Sequence, residues 1–146
     1  MSGETDLQTL LSSMRPRLDD RMFVFASVTP GQPLPQEAGI VMRFSEREGT
    51  TLVLPMEDAA RVGIEGTFPC RMITLDIHSS LEAVGLLAAI LPRLAAAGIG
   101  VNPVSAFHHD HLFVPAERAD DALTILRGIV EEAQAGAIRR GPVASN

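Results

Sequence analysis

The sequence predicts an α+β fold of two small modules with antiparallel sheets, and three observations carry that prediction. The first is an internal match at a fixed offset, in which Thr51-Leu-Val-Leu-Pro-Met-Glu-Asp-Ala59 lines up with His111-Leu-Phe-Val-Pro-Ala-Glu-Arg-Ala119. Leu52/Leu112, Pro55/Pro115, Glu57/Glu117 and Ala59/Ala119 are identical, and the same offset pairs Val41 with Val101 and Ser45 with Ser105. Hairpin, proline and helix, found twice in that order, are what an internal duplication leaves behind. The second is the order in the second half: β (70–78), α (80–97), β (99–107), β (111–114), α (116–133), with room for a last strand. That is the split βαβ, ferredoxin-like order, βαββαβ when complete. The third is length, since 146 residues suit one domain or two small modules sharing a core. In the first half the leading helix precedes the first strand, so that copy reads as permuted or abbreviated. The modules are expected at 1–66 and 67–135, with a frayed tail at 136–146.

Each element has a local reason. Thr5 followed by Gln8 reads as a capping box, after which Leu7, Leu10, Leu11 and Met14 share one helical face until Pro16 ends the helix. Met22 to Val28 has strand character. Thr29 to Pro35 holds three prolines that cannot donate to a ladder, so it reads as a loop. Gly39 to Phe44 and Thr51 to Leu54 form a hairpin, and a short helix follows Pro55 and ends at Gly63. Cys70 to His78 is rich in Ile and Thr and reads as a strand. Ser79 and Glu82 form the clearest capping box in the chain, opening an apolar helix that closes at Gly98. Ile99 to Phe107 and His111 to Val114 make the second hairpin. Pro115 then starts an amphipathic helix with Ala119, Ala122, Leu123, Leu126, Ile129 and Val130 on its apolar face.

Composition excludes several chemistries. All twelve basic residues are arginine, and lysine, tyrosine and tryptophan are absent. Schiff-base catalysis through lysine is therefore out, as is a Walker-type phosphate loop. A net charge of −6 and 4% aromatic residues argue against nucleic-acid binding. The polar, acidic N-terminus is wrong for a signal peptide, and the longest apolar run, Ala83 to Pro92, is too short to span a bilayer. A cytoplasmic protein without a membrane partner is expected. Cys70, the lone cysteine, supports neither a disulfide framework nor a cysteine-rich zinc site, and reads as a small buried hydrophobe. The acidic pairs Asp19-Asp20, Asp120-Asp121 and Glu131-Glu132 read as solvated surface.

Glu82-Ala-Val-Gly-Leu-Leu-Ala-Ala-Ile-Leu-Pro-Arg-Leu-Ala-Ala-Ala-Gly-Ile99 resembles the ACT-domain signature: an acidic residue, any residue, Pro-Gly, an apolar helix, then Ala-Gly-Ile. Ser105-Ala-Phe-His-His-Asp-His-Leu-Phe-Val-Pro115 resembles the second hairpin of aspartokinase-type ACT modules. The whole chain is similar to small stand-alone bacterial proteins with two tandem ACT-like modules. Val84 stands where the family has proline, and Pro92 lies inside the helix, where it should clash with the Ala88 carbonyl and kink or break it.

The resemblance implies a small-molecule sensor or regulatory module without catalytic activity and without a cofactor. Its ligand would be an amino acid held by His78, Ser79, Ser80, Leu81, Glu82, Ala83, Val84 and Gly85, together with Asn102 and Val104. The helix N-terminus suits a carboxylate, the serines add hydroxyls, and Glu82 or Asp76 is placed to take the ammonium. The apolar helix beginning at Ala83 needs cover, either from the first half or from a second subunit, so a homodimer is expected. Two other readings stand beside this one. One is an interaction module with no ligand. The other is a metal-dependent enzyme built on His108, His109, Asp110 and His111, although in an extended chain His109 and His111 face away from His108 and Asp110.

Overall fold

The computed structural model describes residues 6–36 and 38–140, without the side chains of 137–140. In chain order the elements are α1 (Leu7–Ser13), β1 (Arg15–Val28), β2 (Met42–Ser45), β3 (Thr50–Pro55), α2 (Met56–Val62) and β4 (Thr67–Asp76). They continue with α3 (Leu86–Ala96), β5 (Asn102–Ser105), β6 (Asp110–Pro115), a single 3₁₀ turn and α4 (Ala119–Arg140). One curled antiparallel sheet holds all six strands in the order β2-β3-β1-β4-β6-β5.

The repeat seen in the sequence is kept residue for residue in the hairpins. Met42–Ser45 and Thr50–Pro55 recur, at the same offset, as Asn102–Ser105 and Asp110–Pro115. Leu52 and Leu112 are both fully buried, and so, nearly, are Ala59 and Ala119 at the helix starts. Pro55 and Pro115 each close a strand and open a helical turn, because a residue with no N–H loses nothing there.

The copies share strands. Arg15 to Leu18 of β1 pairs with Ile73 to Asp76, whereas Phe23 to Val28 pairs with β3 on its other side. The first part of β1 thereby takes the edge of the second ferredoxin-like order, β1-β4-β6-β5. The place allowed for a last strand after the final helix is thus already filled. The segment expected to fray from Gly136 instead continues α4 through Arg140, while 141–146 lies outside the described residues. The strand expected at 22–28 begins earlier, at Arg15, because its charged first half is paired along β4.

α1 does not serve the half it precedes. Leu10 and Met14 enter the core formed by Ile73, Leu75, Ile90, Leu94, Leu112 and Leu126, with Leu7 and Leu11 packed against it. Gln8 Nε2 donates to the Ala133 carbonyl (2.8 Å) and Gln134 Nε2 to the Ser12 carbonyl (3.0 Å), tying α1 to α4. The N-cap is Asp6, whose carboxylate accepts from Thr9 N (2.9 Å); Thr5, expected there, lies outside the described residues. The helix ends at Ser13, ahead of Pro16, which is itself a strand residue.

The first half keeps its own smaller core, with Val24, Ala26, Val28, Leu52, Leu54 and Ala59 under α2 and Ala38 of the proline-rich loop. The opposite, helix-free face is also apolar at its centre. There Phe23, Val53, Cys70 and Phe113 are buried, and Phe113 meets Phe23 and Phe25 edge-on at 5.9 and 5.5 Å. Among the described residues no helix is long and apolar enough to cross a membrane.

Candidate functional site

β4 and β5 run in the same direction, so the loop after each, 77–85 and 106–109, lies at one end of the sheet. Between them is a cavity of about 170 Å³. Its lining includes Ser79, Ser80, Leu81, Ala83 and Gly85 from the first loop, Leu86 to Ala88 from α3, and Ser105, Ala106 and Asp110 from the hairpin.

The Ser79/Glu82 capping box does not form. Ser80 Oγ instead accepts from Glu82 N (3.1 Å) within the loop, and the helix starts only after Gly85. Serine hydroxyls compete for local backbone donors in this way, and Val84 and Gly85 are weak helix formers. Gly85 occupies the N-cap with φ of 98°, a conformation that glycine adopts without strain, and no side chain caps this end. The first N–H groups of α3 therefore have no intrahelical acceptor, and their residues line the cavity. Pro92 does not break the helix: α3 runs through it to Ala96, burying Leu86, Ile90 and Leu94 and leaving Pro92 on the exposed side.

The expected site residues divide. Ser79, Ser80, Leu81, Ala83 and Gly85 line the cavity, with His78, Glu82 and Val84 in the same loop but off its wall. Asn102 and Val104 are not on that wall. They pair with Phe113 and His111, which puts them on the helix-free face, and Asn102 starts β5 at the strand end away from the cavity. Asp76 is turned toward His109, at 3.8 Å, rather than into the cavity. Sequence reasoning missed Ser105 and Asp110. Their signal was present, in the Ser45/Ser105 match and in the histidine-rich hairpin, where Asp110 was considered only within the alternative metal-dependent reading.

That hairpin is held by ordinary hydrogen bonds. Ser105 Oγ donates to Asp110 Oδ1 (2.6 Å). His109 Nδ1 donates to the Ile77 carbonyl (3.2 Å), which accepts only, and His111 Nδ1 shares a hydrogen bond of 2.9 Å with Thr74 Oγ1. Among the described residues no group of three or more His, Cys, Asp or Glu side chains is arranged to hold a metal ion.

Cys70 is fully buried, with its thiol directed at the Phe23 carbonyl at 3.4 Å. Burial pushes its pKa up to about 12, so the thiolate that would react is suppressed. Iodoacetamide at pH 8 should leave the native thiol unlabelled by mass spectrometry and label it fully in denaturant. Rapid labelling of the folded protein would contradict this burial.

ACT domain models match the chain over residues 2–71 and 67–128. The chain belongs to the ACT-domain family. This ACT protein is 40% identical to a Vibrio cholerae protein described as of unknown function and a possible transport protein. That match covers 85% of this chain and 95% of the other, with a TM-score of 0.76. An Agrobacterium tumefaciens protein shares the fold at 16% identity, covering 80% and 89% with a TM-score of 0.69. The regulatory subunit of aspartate kinase from Thermus thermophilus, in its ligand-free form, does so at 14%, covering 78% and 95% with a TM-score of 0.59. No curated protein matches the chain.

Proposed function

We propose that this ACT protein is a non-catalytic, cytoplasmic regulatory module that binds a small amino acid in the cavity between the 77–85 loop and the β5–β6 hairpin. The observation that carries this reading is the pairing of opposite polarities across one small cavity. The uncapped start of α3 offers N–H donors and the positive end of a dipole to a carboxylate. Asp110 offers an acceptor to an ammonium, and Ser79 and Ser80 add hydroxyls to the same cavity lining. Glu82 and Asp76, the two partners expected for the ammonium, are off the cavity wall, so this reading gives the role to Asp110. Family membership and the likeness to aspartate kinase regulatory chains support a ligand-binding regulatory role.

A homodimer goes with this reading. Leu81, Val84 and Phe107 are 66%, 83% and 67% exposed on the two loops that frame the cavity. Large apolar side chains clustered in this way are suited to being covered by a second copy. Binding would order the loop and favour one arrangement of the interface, which is how a ligand shifts a population.

Thermal-shift measurements against the twenty amino acids test the proposal. An amino acid at about a hundred times its Kd adds roughly 2.7 kcal/mol to the folded state. A flat panel at millimolar concentrations would sink the amino-acid reading and leave the ligand-free interaction module standing.

A further inference from the structure

A second recess, of about 490 Å³, opens on the helix-free face of the sheet, lined by Arg17, Asp19, Asp20, Arg21, Thr74 and His111 among others. Ile73 and Leu75 enter the helix-covered core, so Thr74 between them points to the opposite face. Register places Arg17 opposite Thr74, and Thr74 opposite His111, in one row across three strands.

The chain distorts β1 to open this recess. Between the pairs Leu18↔Ile73 and Met22↔Arg71, three residues of β1, Asp19 to Arg21, stand against the single Met72 of β4. Bulges of this kind re-aim side chains and recur beside functional sites. Within the bulge Asp19 and Arg21 pair with each other. Asp19 accepts from Arg21 N, Nε and Nη2 at 2.9, 3.0 and 2.9 Å, and Arg71 donates to the Asp19 carbonyl at 2.9 and 2.6 Å. Arg21 also stacks over the Phe23 ring at 4.9 Å. Arg17 is left exposed, its guanidinium making no hydrogen bond or ion pair among the described residues.

Thr74 is 4% exposed, so its hydroxyl must find its partner inside the protein, and His111 Nδ1 is that partner. When the hydroxyl donates to Nδ1, the ring proton sits on Nε2, the nitrogen not engaged by Thr74. We propose that Arg17 and His111 form a second binding site, for an oxyanion group (carboxylate or phosphate), on the face of the sheet away from the helices.

Burial, then His109 and Arg17, hold the His111 imidazole below its ordinary pKa, against the opposing pull of Asp110. Asp19 and Asp20 face the recess from β1, but Asp19 is already paired with Arg21. An anion seated between Arg17 and His111 offsets the burial and the neighbouring positive charge that disfavour the imidazolium. Binding therefore strengthens as pH falls through the imidazole range and raises the His111 pKa.

The test follows the His111 ring resonances by NMR while sodium acetate or inorganic phosphate is added to the full chain. The expected result is a saturable shift at millimolar concentration. Arg17→Ala, at an exposed position that leaves the fold intact, should weaken it about tenfold, the cost of a charge-assisted hydrogen bond. Asp20→Asn should tighten it, and Ser80→Ala, in the other cavity, should leave it unchanged. The tighter of the two probes identifies the group; equal affinities assign the site to oxyanions generally. No saturable shift, or the same shift in Arg17→Ala, overturns the proposal while leaving the amino-acid cavity untouched.

Discussion

Leu10→Ala should lower the unfolding free energy by about 2–5 kcal/mol, the range for truncating a fully buried leucine in a core that cannot close over the gap. The size of that effect is informative because of where Leu10 lies. A helix of seven residues has little stability of its own. Here Leu10 is inaccessible to solvent and packs among residues of β4, β6, α3 and α4. Urea titrations should show a lower midpoint at an unchanged slope. A loss under about 1 kcal/mol would mean that α1 is an ornament on the second core rather than part of it.

Asp110→Asn should weaken binding of the stabilising amino acid about tenfold to a hundredfold, as expected for removing the charge from one ammonium–carboxylate hydrogen bond. The substitution is chosen to spare the hairpin. Asparagine keeps the Oδ1 that accepts from Ser105 Oγ, so stability in the absence of ligand should move by no more than about 0.5 kcal/mol. Isothermal titration calorimetry on the variant distinguishes the outcomes. Unchanged affinity would remove Asp110 from the site, and with it the account of how an ammonium is held.

Much of the fold was legible because its signals are local. The duplicated Leu-x-x-Pro-x-Glu-x-Ala pattern marked both strand-to-helix junctions, and the apolar spacing of Leu10 and Met14 marked the buried side of α1. The Ser79/Glu82 box misled for a physical reason. A capping box is a competition between hydrogen-bonding partners, and Ser80, one residue on, satisfies Glu82 N within a turn. The displaced start of α3 is what leaves its first N–H groups facing a cavity. Asp110 was left out of the expected ligand site because a run of histidines beside an acid raises a metal reading, or a polar hairpin tip, before a place on the cavity wall.

The sequence by itself determined the element types, the duplication and the exclusion of lysine- and tyrosine-based chemistry, since these depend on residue identity and near neighbours. Only the tertiary structure decided that β1 serves both halves, that α1 covers the second core, and that Asp110 rather than Glu82 or Asn102 faces the start of α3. Those outcomes rest on contacts between residues far apart in the chain. They depend on which strand edge is already paired, and no local pattern records that.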